Sequence, residues 1–147
     1  MKRAIAVSLA AAALMVVVAP AYAAEITIKE RNQTDDGKFV FEDALVRIKP
    51  GDTVVFEPAD RGHNAETIPG MLPAGAAAIK TPFSKEARVT FETPGVYGIK
   101  CLPHFGLGMV AVIVVGDPVN LAEVKQAAEK LPPMAKARAA KLLAELG

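Results

Sequence analysis

The sequence predicts a mainly β fold, a Greek-key β-sandwich of short strands closed by two C-terminal α-helices. Three observations carry that prediction. Apolar and polar residues alternate over short runs between Glu25 and Gly116, the period of half-buried strands. Turn signals such as Pro50-Gly51-Asp52 and Pro94-Gly95 punctuate those runs, as in an antiparallel sandwich or barrel. After Pro118 the period changes, and Leu121, Val124, Ala128 and Leu131 recur at helical spacing.

The chain opens on a segment that is not part of the fold. Lys2 and Arg3 precede an apolar run from Ala4 to Ala19, Pro20 breaks it, and Ala21-Tyr22-Ala23 fits the small-x-small rule for signal cleavage. The run is short for a membrane anchor, which needs about 20 residues. Residues 1–23 therefore read as a cleaved export signal. The mature chain would keep 124 residues, enough for one domain and too few for two. A sandwich is expected over 24–117, with a helical pair over 118–147 packed on the same domain.

Ile26 and Ile28 alternate with Thr27 and Lys29, and Phe39 and Phe41 mark a second strand after the polar stretch 32–37. Leu45 to Ile48, Thr53 to Phe56, Arg88 to Phe91, Val96 to Cys101 and Met109 to Val115 complete the strand signals. Asn64 to Ser84, rich in Gly, Ala and Pro, reads as a surface excursion with little regular structure. Asn120-Leu121-Ala122-Glu123 resembles a helix N-cap with a carboxylate at its third position. Pro132-Pro133 ends that helix, and Met134 to Leu146 makes a second.

Charge excludes some functions. Removing Lys2 and Arg3 leaves 15 Lys and Arg against 16 Asp and Glu, a net charge near −1. No bulk field favours nucleic acid or a membrane surface. An exported chain with one cysteine forms no internal disulfide, so its thiol has to be buried, catalytic or bound to metal.

The segment from Cys101 to Met109 reads Cys-x2-His-x4-Met between two expected strands. Thiolate, imidazole and thioether are soft or borderline donors that suit copper in both oxidation states, and two histidines with one cysteine and a distant axial methionine is the blue-copper pattern. Gly106 and Gly108 permit the tight curvature. The one other histidine is His63, 38 positions upstream. Each residue alone has an ordinary reading: Cys101 and Met109 as core, His63 and His104 as loop residues. Together they use both histidines and the sole cysteine. Zinc competes, but thioether is a poor zinc ligand, so Met109 turns the reading to copper.

The mature chain resembles pseudoazurin. The resemblance runs through Val40-Phe41-Glu42, Lys49 to Val54, Gly62-His63-Asn64, Glu66-Thr67-Ile68, Gly70-Met71, Pro94 to Gly98 and the Cys-x-Pro-His-x-Gly-x-Gly-Met loop. It implies a cupredoxin sandwich of eight strands, a copper ion held by His63, Cys101, His104 and Met109, and electron donation to copper nitrite reductase. Asn64 is expected to tie the two ligand loops by hydrogen bonds. The chain departs from the family at Leu102, where a hydroxyl residue is usual, at Leu107, where a second methionine is common, and at Pro69, where lysine is common.

The expected activity is that of a periplasmic electron carrier, monomeric and not an enzyme, since four donors leave no open position for substrate. Redox proteins, nitrite reductase or cytochromes, would dock on an apolar patch of Met71, Leu72, Pro73, Pro103, Phe105 and Leu107 around His104, steered by Arg61, Lys80 and Lys100. The alternative is a periplasmic copper-delivery protein. Delivery sites tend to be open and rich in Met or His, whereas only three methionines follow residue 23.

Overall fold

The computed structural model describes residues 22–147. The signal expected over residues 1–23 lies outside them except for its last two positions. Eight strands run in chain order: β1 Glu25–Thr34, β2 Gly37–Phe41, β3 Leu45–Ile48, β4 Thr53–Pro58, β5 Glu66–Thr67, β6 Ala87–Thr90, β7 Gly95–Lys100 and β8 Val110–Val115. A single 3-10 turn, Phe105–Leu107, separates β7 from β8, and helices α1 Leu121–Ala128 and α2 Pro133–Ala144 follow. One sheet has the order β2-β1-β4-β6 and the other β3-β8-β7-β5.

Two features depart from the sequence expectation. The sheets are mixed rather than purely antiparallel, because β1 pairs with β4 and β3 with β8 in parallel. A chain that crosses between sheets before returning beside its start makes such pairs, since parallel neighbours need a crossover. The expected excursion 64–84 also contributes β5, which pairs with β7 at Glu66↔Lys100 and Thr67↔Ile99. Two residues are too few to show a period in sequence.

β8 explains why the helices are needed. All six of its residues are buried. Its odd positions Ala111, Ile113 and Val115 join the core between the sheets with Ile28, Phe56, Phe91 and Tyr97. Its even positions Val110, Val112 and Val114 join a second core with Val124, Ala128, Ala135, Ala139, Leu142 and Leu143 of the helices. A strand apolar on both faces must be covered on both, and α2 lies on β8 while α1 lies on β7. Gly98 on β7 makes room in this second core, where a Cβ would stand 2.6 Å from Met71 Cε.

Helix starts differ in detail. Asn120 stands at the N-cap of α1, but its side chain caps no helix amide. Its Oδ1 instead accepts from Val96 N at 2.7 Å and its Nδ2 donates to Val96 O at 3.0 Å. It thus stands in for a neighbouring strand beside β7. α2 begins at Pro133, a position where the missing N–H costs nothing.

Candidate metal centre

Both donor loops hang at one end of the sandwich. His63 follows β4 and is fully buried. Its carbonyl accepts from Ser84 N at 2.9 Å, while Gly62 N donates to Ser84 Oγ at 2.8 Å, so this backbone is clamped on both sides. His63 Nε2 lies 2.9 Å from Asn32 Oδ1. An amide oxygen only accepts, so Nε2 carries the proton and Nδ1 presents its lone pair inward.

Cys101 directly follows β7, and Met109 directly precedes β8. Cys101 N donates to Met109 O at 3.1 Å, and Met109 N donates to His104 O at 3.1 Å. These bonds close the loop into a ring. Gly108 turns it with φ +87°, and a Cβ there would come within 3.1 Å of Met134 O in α2, so the second helix props the loop.

The donors converge. His63 Nδ1 stands 3.6 Å from Cys101 Sγ, His104 Nδ1 stands 3.5 Å from the same sulfur, and the two Nδ1 atoms are 3.1 Å apart. Three donors arranged trigonally at about 2.0–2.3 Å from one ion would be separated by about 3.5–4 Å, so the two sulfur edges match a small cation, while the Nδ1 atoms stand somewhat closer together. Among the described residues, His63, Cys101 and His104 are the group of titratable donors gathered closely enough to hold an ion. Met109 is fully buried in the same core as Cys101.

The electrostatics suit a cation. Burial holds His63 below the usual imidazole range, with His104 adding to the effect and Asp60 opposing it. Burial also lowers His104. Both rings are therefore neutral at neutral pH. Burial pushes the Cys101 thiol up, the backbone amides of Asn64 and His104 pull it back, and the charges of Glu30 and Glu66 push it further up. A metal bound at this sulfur takes the place of the thiol proton, so its binding depends on pH.

Asn64 ties the loops as expected. It is fully buried, and its Oδ1 accepts from Leu102 N at 2.9 Å. The bond uses the backbone amide, so the absence of a hydroxyl at position 102 does not break it. Asn64 Nδ2 donates to Glu66 Oε1 at 3.0 Å.

The expected docking patch is smaller than the sequence suggested. Met71 is fully buried beneath Gly98 and Pro73 is buried, because the excursion folds them against β7 instead of leaving them on the surface. Leu102 and Leu107, each 45% exposed, remain with Pro103 and half-buried Phe105. Of the expected steering cations, Lys80 pairs with Glu66 at 3.7 Å and Lys100 Nζ lies 5.1 Å from the Phe105 ring centre. Arg61 is exposed.

Phe39 is a site residue that sequence reasoning missed. Its ring stacks on His104, with centres 4.1 Å apart and planes 11° from parallel. Its backbone has φ +50°, a strained conformation for a bulky residue. No periodicity signals a contact 65 positions away. Phe39→Ala is expected to speed copper release by up to about tenfold, the equivalent of the ~0.5–1.5 kcal/mol of an aromatic pair. Transfer of copper(I) to a chelator measures it, and an unchanged rate removes the stack from the site.

Comparison with known proteins agrees with this geometry. Residues 28–116 match the family model described as copper binding proteins, plastocyanin/azurin family. A pseudoazurin of Methylorubrum extorquens is 52% identical over 112 residues, which cover 74% of this chain and 76% of that one. A pseudoazurin of Paracoccus pantotrophus is 44% identical over 130 residues, 88% of each chain. The crystal structure of pseudoazurin from Methylobacterium extorquens superposes with a TM-score of 0.80 at 45% identity, covering 84% of this chain and 99% of that one. That of Hyphomicrobium denitrificans gives 0.78 at 41%, covering 83% and 98%. The chain therefore belongs to the plastocyanin/azurin family of copper-binding proteins and, within it, to the pseudoazurins, which are type 1 copper electron carriers.

Proposed function

We propose that His63, Cys101, His104 and Met109 hold the copper, and that the chain carries electrons in the periplasm to copper nitrite reductase. The observation that supports the ligand set is the triangle of Cys101 Sγ and two inward Nδ1 atoms, with edges of 3.1–3.6 Å. Copper supplies the one-electron couple. The protein supplies rigidity: the clamp on His63, the closed ring from Cys101 to Met109 and the Asn64 tie keep the donors in place in both oxidation states. Four donors fill the centre, which suits a carrier and not an enzyme.

His104 provides the way in and out for electrons. It is half-buried, and Leu102, Pro103 and Leu107 lie exposed beside it in the chain. A small apolar surface suits brief redox encounters, with nitrite reductase or a cytochrome, by a carrier that acts as a monomer. The basic start of the chain and the Ala21-Tyr22-Ala23 cleavage pattern support export to the periplasm. Among the described residues no helix is long and apolar enough to cross a membrane.

Copper-loaded protein is expected to show an intense blue thiolate-to-copper band that bleaches and returns over repeated one-electron cycles. A colourless copper complex would sink the ligand set. Loss of copper on reduction would favour the delivery reading, and failure to reduce a copper nitrite reductase in stopped flow would remove that partner.

A further inference from the structure

Glu30 is an acid in an apolar place. It belongs to the inward face of β1 with Ile26 and Ile28, pairs laterally with Phe41 on β2 and Pro58 on β4, and is 1% exposed. Its Oε1 has no hydrogen-bond partner. An uncompensated buried carboxylate is costly, so a chain keeps one at the expense of stability.

Its position relates it to the metal centre. Asn32, the next residue on the same face, is the one that holds His63 Nε2. Same-face neighbours on a strand stand about 7 Å apart. The inward neighbours on β2 and β4 are Phe39, Phe41 and Phe56, all without charge. Across the core the titratable groups are Tyr97, whose hydroxyl donates to Thr93 O at 2.8 Å, and Cys101, His63 and His104 at the metal end. Asp60 bonds the Glu30 carbonyl through its amide, and its own carboxylate accepts from Asn32 N at 2.7 Å. The flanking Lys29 and Arg31 alternate to the outer face, where Arg31 pairs with Glu42 at 3.0 Å. Among the described residues no cation forms an ion pair with Glu30.

We propose that Glu30 is a proton-binding site coupled to the copper, so that reduction raises its proton occupancy. This rests on the copper reading above. On reduction the electron comes from the redox donor and a proton from water, the Glu30 carboxylate becomes a carboxylic acid, and both leave on reoxidation. Reduction makes the centre more negative by one charge, and a more negative neighbour tightens a carboxyl's hold on its proton. Burial alone raises Glu30 from 4.5 to about 7, so this exchange falls within the working pH range.

The test is the midpoint potential of copper-loaded protein measured from mildly acid to mildly alkaline pH, beside the Glu30→Gln variant, which keeps the shape and removes the proton site. Glu30 and the Cys101 loop belong to facing sheets, which pack about 10 Å apart, and a unit charge at that distance with an effective dielectric near 20 changes proton affinity by about tenfold. That corresponds to about 59 mV of potential for one electron. We expect the wild-type potential to fall by roughly this much as pH rises through neutrality, and the variant to stay flat there at the higher value. A fall that survives in Glu30→Gln belongs to the imidazole edge and overturns the proposal, as does a flat wild-type profile. Carbon NMR of the Glu30 carboxyl in copper-free protein needs neither the variant nor the metal. Titration near neutrality supports the proposal, and titration at the ordinary glutamate value overturns it. A protein that never turns blue would fail the copper reading instead, and leave this NMR outcome to judge Glu30 separately.

Discussion

Cys101→Ser is expected to abolish the blue band completely and to weaken copper binding by more than about 100-fold. Loss of a group that merely orients a ligand already costs 10–100-fold, and here a donor itself is lost. A hydroxyl is a hard donor that stays protonated at neutral pH, so the thiolate charge-transfer transition disappears with the sulfur. The substitution is nearly isosteric at a fully buried position, so the copper-free fold should survive. That survival separates a ligand role from a packing role: circular dichroism and the melting temperature should barely move while the visible spectrum vanishes. A variant that stays blue would remove Cys101 from the centre.

The second large effect is expected at Asn64. Asn64→Ala deletes the acceptor for Leu102 N at 2.9 Å and the donor to Glu66 Oε1 at 3.0 Å, together with a longer contact to Thr81 O at 3.5 Å. Both bonds are part-buried; a neutral hydrogen bond contributes about 0.5–1.5 kcal/mol and one to a charged group about 1.5–3, so a loss of roughly 3 kcal/mol is anticipated. For a domain of this size that corresponds to a fall of about 10 °C in melting temperature. Thermal unfolding of the copper-free protein measures it without interference from the metal. A loss below about 1 kcal/mol would mean that the loops carrying His63 and Cys101 are held together by something else.

The donor set was legible because the chemistry left so little choice. The chain has two histidines and one cysteine, and the loop Cys-x2-His-x4-Met states its own geometry. Asn64 was legible by adjacency to His63. What the sequence concealed depends on contacts between distant segments. The Phe39 stack joins β2 to the loop after β7, and Asn120 looked like a cap because its local pattern is that of one, although Val96 makes a better use of both its polar atoms. Met71 and Pro73 looked like surface because their segment is irregular, yet the space above Gly98 draws Met71 in. Glu30 is the instructive miss. Alternation through Ile26 and Ile28 already assigned it to the inward face, but acids are so seldom buried without a partner that its polarity reads as exposure.

β8 has a further consequence, for the traffic of the metal itself. It is paired on both edges, by β3 and β7, and dry on both faces, so its amides belong to the part of the molecule that opens last. The ligand loop hangs from this strand at Met109 and from β7 at Cys101. The ion therefore has no exit through fraying of the sheet. Of the three converging donors only His104 reaches the half-buried rim, stacked on Phe39, so exchange of the ion is expected at that edge. On that expectation, thermodynamic hold on the ion belongs to the whole sandwich, while the rate of its escape belongs to a single side chain at the rim.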